Sequence, residues 1–197
     1  MRGRPSSELS KAIFKPLTTR NWADLERLFG PRGACAGCWC MWWRLERARW
    51  DKQRGEKNRR ALQKIVATEV PTGVLAYLGQ EPVGWCAVAP REHYSRLARS
   101  RVLRPVDDQP VWSATCFFVR KEYRRSGLTR QLLQAAVQFA HKHGAKIIEG
   151  YPQGTRRGEM PDAFAYTGFA SVFQQAGFEE VARRSATRPV MRLMASD

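Results

Sequence analysis

The sequence predicts an α/β (α+β) fold built as one domain around a sheet, and three stretches predict it. Residues 111–133 read VWSATCFFVRKEYRRSGLTRQLL: an apolar run rich in Val, Trp, Thr and Phe, a polar break at Arg120, then a helical pattern. Residues 74–78 and 83–89 are apolar strands around Gly79-Gln80-Glu81-Pro82, a hairpin signal. Residues 168–193 give a helix, Gly177-Phe178 and two last strands.

A frayed tail is expected over residues 1–12, and a single domain over 13–197. A short strand falls at residues 14–18. Thr18 or Thr19 can cap a helix whose Trp22, Leu25, Leu28 and Phe29 share one face. Gly30-Pro31 ends it. Residues 33–44, GACAGCWCMWWR, form a loop of glycine, cysteine and tryptophan. Residues 44–69 read as one or two basic helices interrupted near Gly55, with Leu62, Ile65 and Val66 as the apolar stripe. Pro71-Thr72-Gly73 breaks that pattern. Residues 90–109 are polar and arginine-rich and cover one side of the molecule. The helix after Gly127 buries Leu132, Leu133, Ala136, Val137, Phe139 and Ala140. His141-Lys142-His143-Gly144 closes it with basic residues and glycine, as the helix dipole favours. Residues 146–151 are the next strand.

A chain of 197 residues suits one domain with its own core. Hydrophobic residues at 43% and aromatics at 11% are those of a globular protein. Lysine and arginine number 34 against 18 acidic residues, a net charge of +16. Such a field draws polyanions: nucleic acid, an anionic membrane surface or a phosphate-rich cofactor. The arginines are spread along the chain rather than gathered in one block, so nucleic acid is a partner in second place. No apolar run approaches a membrane span, and residues 1–15 hold no apolar signal region. A cytoplasmic protein with no membrane partner is expected.

Residues 124–129, Arg-Arg-Ser-Gly-Leu-Thr, stand between strand and helix. The first N–H groups of a helix have no intrahelical partner, and its dipole adds partial positive charge there. Gly127 lets the backbone approach a phosphate with no Cβ in the way. An ordinary strand–turn–helix with solvated arginines is the alternative reading. Arg124-x-x-Gly127-x-Thr129 resembles the acetyl-CoA signature of the GNAT superfamily of N-acetyltransferases, [Gln/Arg]-x-x-Gly-x-[Gly/Ala]. It departs at Thr129, which adds bulk near the pyrophosphate. The element order is also similar to that of the family, and Phe173-Gln174-Gln175-Ala176-Gly177-Phe178 resembles its helix–Gly-Phe–strand closure. The resemblance implies a GNAT-like fold: a central mixed, mostly antiparallel twisted sheet of six to seven strands, flanked by about four helices and splayed at the central strands.

The same resemblance implies acetyl-CoA as cosubstrate. Phe117, Phe118 and Val119 would lie along its pantetheine, and Arg124, Arg125, Ser126, Gly127, Leu128, Thr129 and Arg130 would wrap its pyrophosphate. The reaction implied is direct attack of a primary amine on the thioester, which needs a neutral amine, oxyanion stabilisation and a proton for the leaving thiolate. The family often has a Glu on or beside the central strand, yet residues 111–119 hold no carboxylate. Glu149 on the next strand is the candidate base, with Glu159 and Asp162 as alternatives; Glu149 reads equally as a solvated strand-end carboxylate. Many members carry a Tyr four residues before the closing Gly, where this chain has Phe173. Tyr166 is the candidate acid, with Ser171 or solvent as alternatives, and reads equally as an amphipathic cover over the cofactor groove.

Cys35-x2-Cys38-x-Cys40 offers three thiolates, and His93 or Cys86 could add a fourth zinc ligand. No second CxxC pair follows, so no metal is assigned. Cys86 and Cys116 fall inside strands as small hydrophobes. By resemblance, the loop between the first two helices lines the acceptor pocket. Cys38, Trp39, Met41 and Trp42 then form a wall suited to an apolar, aromatic or cationic acceptor. Plain core packing is the alternative for the tryptophans.

The expected protein is an acetyl-CoA-dependent N-acetyltransferase, a monomer or homodimer acting on an amine-bearing acceptor. The alternative is a basic nucleic-acid-binding or regulatory module that keeps the fold without turnover. A zinc-dependent interaction module is a third reading.

Overall fold

Apolar, β-branched and aromatic runs pair where they can bury both faces, and here they make a seven-stranded sheet. The computed structural model describes residues 9–154 and 166–194. Its strands are β1 (Ile13–Pro16), β2 (Gly73–Leu78), β3 (Glu81–Pro90), β4 (Trp112–Val119), β5 (Ile147–Gly150), β6 (Glu179–Arg183) and β7 (Pro189–Met194), in the order β1-β2-β3-β4-β5-β7-β6. Every neighbouring pair is antiparallel except β4 and β5, which run parallel. This is the mixed, mostly antiparallel sheet expected.

Among the described residues there are six α-helices where about four were expected: α1 (Trp22–Phe29), α2 (Arg47–Gln53), α3 (Glu56–Ala67), α4 (Ser95–Ala98), α5 (Leu128–Lys142) and α6 (Ala170–Gln175). Two causes explain the excess. Gly55, at φ +76, divides the basic stretch into α2 and α3. The arginine-rich cover contributes the single turn α4. None of these helices is long and apolar enough to cross a membrane.

The helices cover both faces of the sheet. On one face, Leu132, Leu133, Ala136 and Ala140 of α5 pack with Val74, Val83, Cys86 and Ala114 of the strands, and Phe173 of α6 joins them. On the other, Trp22, Leu25, Leu28 and Phe29 of α1 meet Leu75, Tyr77 and Trp85, together with Leu62 and Val66 of α3. A third cluster joins Trp43, Tyr94, Leu97, Tyr151 and Val190. Each such large side chain contributes on the order of 1.5–3 kcal/mol when fully buried.

One expectation needs revision. Residues 9–12 fall within the expected frayed tail, yet Leu9 is buried in the first cluster and the Ala12 N–H donates to its carbonyl. The glycine–cysteine–tryptophan loop is tightly wound, with Ala34, Ala36, Trp39 and Cys40 all at positive φ. Its anchor is Gly37, whose carbonyl accepts from the Gly55 N–H at 2.9 Å and from Asn58 at 3.1 Å. A Cβ on Gly37 would stand 2.3 Å from the Gly55 nitrogen.

Candidate active site

The central strands part where the sequence changes partner. Only Trp112, Ser113 and Ala114 of β4 pair with β5. On the β3 side, Ala87 faces Cys116 and Val88 faces Ala114, so Thr115 is the extra residue of a bulge. Beyond it β4 continues to Val119 with no β5 partner along its far edge. On the opposite bank, the Gln153 N–H donates to Gly168 and the Ala170 N–H to Gln153, placing Phe169 beside the continuation of β5.

The cleft leads to the basic turn. Arg124 ties it to the strand end, its Nε donating to the Val119 carbonyl at 3.0 Å. The Ser126 hydroxyl donates to the Tyr123 carbonyl. Arg125 and Gly127 both take left-handed backbone, at φ +59 and +92, and Gly127 is the N-cap of α5. No side chain caps that helix, and a Cβ on Gly127 would meet nothing within 4 Å. Uncapped N–H groups facing open space are what an anion needs. Of the residues expected here, Arg125 and Arg130 are exposed and Thr129 is half-buried, while the Leu128 side chain belongs to the core. Phe117 is buried and packs edge-on against Phe173, while Phe118 is half-buried and packs edge-on against Phe29.

Glu149, the expected base, lies inside a buried ion-pair network. It is 1% exposed, and its oxygens accept from Arg91 Nη1 at 3.2 Å, Tyr151 Oη at 2.9 Å and Arg192 Nη2 at 2.7 Å. Arg192 is its cross-strand partner on β7 and also holds Asp107 at 2.6 Å. The Ser113 hydroxyl lies 2.9 Å from Tyr151 Oη and extends the network to β4. A carboxylate engaged by two guanidinium groups and a phenol is structural glue for three strands and a loop. Sequence reading missed Arg91 and Arg192, because only strand pairing brings them to Glu149. Glu159 and Asp162 lie outside the described residues.

Phe173 is fully buried, its ring seated over Gly150, where a Cβ would stand 2.0 Å from it. Tyr166 is half-buried on the opposite face of the sheet, in the company of Trp42 and Val106. Burial pushes its phenol pKa up, partly opposed by the neighbouring Arg188, and Cys116 of β4 is among the groups it feels. Ser171 is exposed on α6.

The acceptor wall divides. Trp39 stacks on Trp22 at 6.2 Å and Met41 is 2% exposed, so both are core and leave the wall. Cys38 and Trp42 remain partly open. Trp42 meets Trp50 edge-on at 4.8 Å and carries Arg96 3.7 Å above its ring. The cysteines do not converge. Cys35 is exposed, whereas Cys40 is buried, 3.4 Å from the Cys116 sulfur and accepting from Trp85 Nε1 at 3.1 Å. Among the described residues no group of three or more His, Cys, Asp or Glu side chains could hold a metal.

The central strands thus part at a bulge, and the freed edge of β4 runs toward the uncapped start of α5. A profile of the Acetyltransferase (GNAT) family matches residues 39–153, more than half of the chain. The chain belongs to that family, enzymes that transfer an acyl group with acetyl-CoA as cosubstrate. Solved structures of similar fold include the PaiA N-acetyltransferase of Thermoplasma acidophilum in complex with coenzyme A, 12% identical over 93% of this chain and 99% of that one, TM-score 0.53. A GNAT acetyltransferase from Streptococcus agalactiae is 11% identical over 94% and 96%, TM-score 0.56. Mosquito arylalkylamine N-acetyltransferase like 5b is 12% identical over 93% and 100%, TM-score 0.58. No curated protein sequence matches the chain.

Proposed function

We propose that the enzyme transfers the acetyl group of acetyl-CoA to the primary amine of an acceptor, the nitrogen attacking the thioester directly. The observation that carries this reading is the parting of β4 from β5 after Ala114, beside the uncapped start of α5. Acetyl-CoA supplies the acyl group in activated form. The free edge of residues 115–119 would hold the pantetheine, and the backbone of Gly127, Leu128 and Thr129, with Arg125 and Arg130 nearby, would hold the pyrophosphate.

With Glu149 occupied, Tyr166 is the residue assigned a proton. Its phenol is protonated at neutral pH, as burial shifts its pKa upward from the ordinary tyrosine value, and this is the state required to protonate a leaving thiolate. The amine reaches its neutral form by loss of a proton to solvent. The reading includes a cytoplasmic setting, supported by five cysteines that are all free thiols, and action as a monomer or homodimer.

Calorimetry with acetyl-CoA tests the core of this proposal, on the wild type and on Gly127→Trp, which fills the open space at the turn. Saturable binding lost in a still-folded variant supports it. Absence of binding by the wild type removes it and brings the basic nucleic-acid-binding reading forward, to be tested by the salt dependence of DNA and RNA affinity.

A further inference from the structure

The acceptor side of the site carries a positive charge that no described carboxylate balances. Arg96 stands on α4, its backbone N–H donating to the Trp43 carbonyl at 3.1 Å. Its guanidinium lies 3.7 Å over the Trp42 ring, and its Nη2 is buried with no hydrogen-bond partner. The arginines on either side differ: Arg91 pairs with Glu149 at 3.2 Å and Arg99 with Glu46 at 2.7 Å. Asp51, an acid near enough for Arg96 to feel, is held by Arg54 at 2.7 Å and Arg47 at 3.8 Å. Among the described residues, other guanidinium groups on this face also lack an anion. Arg44 stacks on Tyr94 at 4.6 Å, and Arg188 bonds the neutral oxygens of Tyr151 and Thr167, both at 3.1 Å.

Burial disfavours the charged guanidinium of Arg96, and a buried N–H with no acceptor adds to that cost. A buried donor with no partner calls for an acceptor, and a ligand can supply it. We infer that the acceptor is an amine that also carries a carboxylate, and that Arg96 receives this carboxylate through Nη2 while Trp42 holds the guanidinium plane. The inference rests on the acetyl-transfer reading above. A carboxylate fits better than a phosphate, because one unpartnered N–H in a buried, aromatic setting suits a monoanion more than a strongly hydrated dianion.

The expected preference of the tryptophan wall for cationic acceptors is thereby replaced. The face of Trp42 that a ligand cation would use is already covered by Arg96. The same charge also serves the nucleophile. Guanidinium groups near an ammonium disfavour its charged form, which promotes the neutral amine where Glu149 is already engaged.

The test is a panel of the common amino acids against their decarboxylated amines, including phenylalanine with phenethylamine and tryptophan with tryptamine. Phosphoethanolamine is the phosphate arm. Each compound is read as kcat/KM by release of the coenzyme A thiol, with acetyl-CoA affinity measured in parallel. At least one amino acid should exceed its decarboxylated partner about tenfold or more, the scale of a hydrogen bond to a charged group. Arg96→Met, which keeps the apolar stem on Trp42, should raise KM for that amino acid and bring the pair within about twofold. Arg96→Lys should restore part of the difference, and neither variant should change acetyl-CoA affinity.

A wild-type panel in which no amino acid beats its partner, or in which phosphoethanolamine is preferred, overturns the inference. So does Arg96→Met with the preference intact. If acetyl-CoA binds while the preference is missing, this inference alone falls; if acetyl-CoA does not bind, both readings fall.

Discussion

Arg192 bridges two carboxylates, Glu149 on β5 at 2.7 Å and Asp107 in the loop before β4 at 2.6 Å. Arg91 approaches Glu149 from the other side at 3.2 Å. The pair Glu149–Arg192 therefore fastens the arginine-rich cover to the sheet, next to the point where β4 and β5 separate. Glu149→Gln keeps the shape but leaves half-buried Arg91 without its anion and Arg192 with Asp107 alone. It should destabilise the protein by about 3 kcal/mol, the scale of a broken buried ion pair, measured by urea denaturation. A loss of kcat at unchanged stability would instead restore Glu149 as a base.

Gly127 takes φ +92 at the N-cap of α5 with open space around it. Gly127→Ala should cost about 1 kcal/mol of backbone strain and put a methyl group where the anion is expected. Calorimetry should show acetyl-CoA bound about tenfold more weakly, or roughly 1.4 kcal/mol. Unchanged affinity would move the pyrophosphate away from this turn.

Tyr166 is proposed to protonate the leaving group. Tyr166→Phe should lower kcat about 100-fold, within the usual range for general acids, while acetyl-CoA affinity stays constant. Because burial raises the phenol pKa, the wild-type rate should not decline on the alkaline side until above the usual tyrosine range. A rate unaffected by the substitution would leave solvent as the acid.

Phe173 occupies the position where many relatives have a tyrosine, but its ring is packed among Phe117, Phe178 and Gly150. Phe173→Tyr should lower stability by about 1–3 kcal/mol through a buried hydroxyl with no partner, and leave kcat no higher. A rise in kcat would show that the groove reaches this residue.

Cys38 tests the environment of the acceptor wall. Burial and the neighbouring Cys40 push its thiol up to about 11. At pH 8 it is therefore almost entirely un-ionised, and its alkylation should rise about tenfold per pH unit up to pH 10, since the thiolate is the nucleophile. Mass spectrometry should find exposed Cys35 modified first at pH 8. Fast labelling of Cys38 at pH 8 would mean that the wall is open to water.

The sequence by itself determined the local elements and the basic turn between them. Strand, turn and helix N-terminus are encoded by neighbouring residues, so residues 111–133 could be read directly as β4, the Arg124–Gly127 turn and α5. The apolar face of α1 was legible for the same reason, because Trp22, Leu25, Leu28 and Phe29 recur at helical spacing. What only the tertiary structure decided was which side chains meet across the sheet. Glu149 looked free in a strand and is held by Arg91 and Arg192, residues 58 and 43 positions away. Trp39 and Trp42 look alike in one loop, yet the left-handed backbone at Trp39 sends it to the core, while Trp42 stays half-open beneath Arg96. Charge pairing and burial depend on contacts between distant segments, and no local periodicity carries that information.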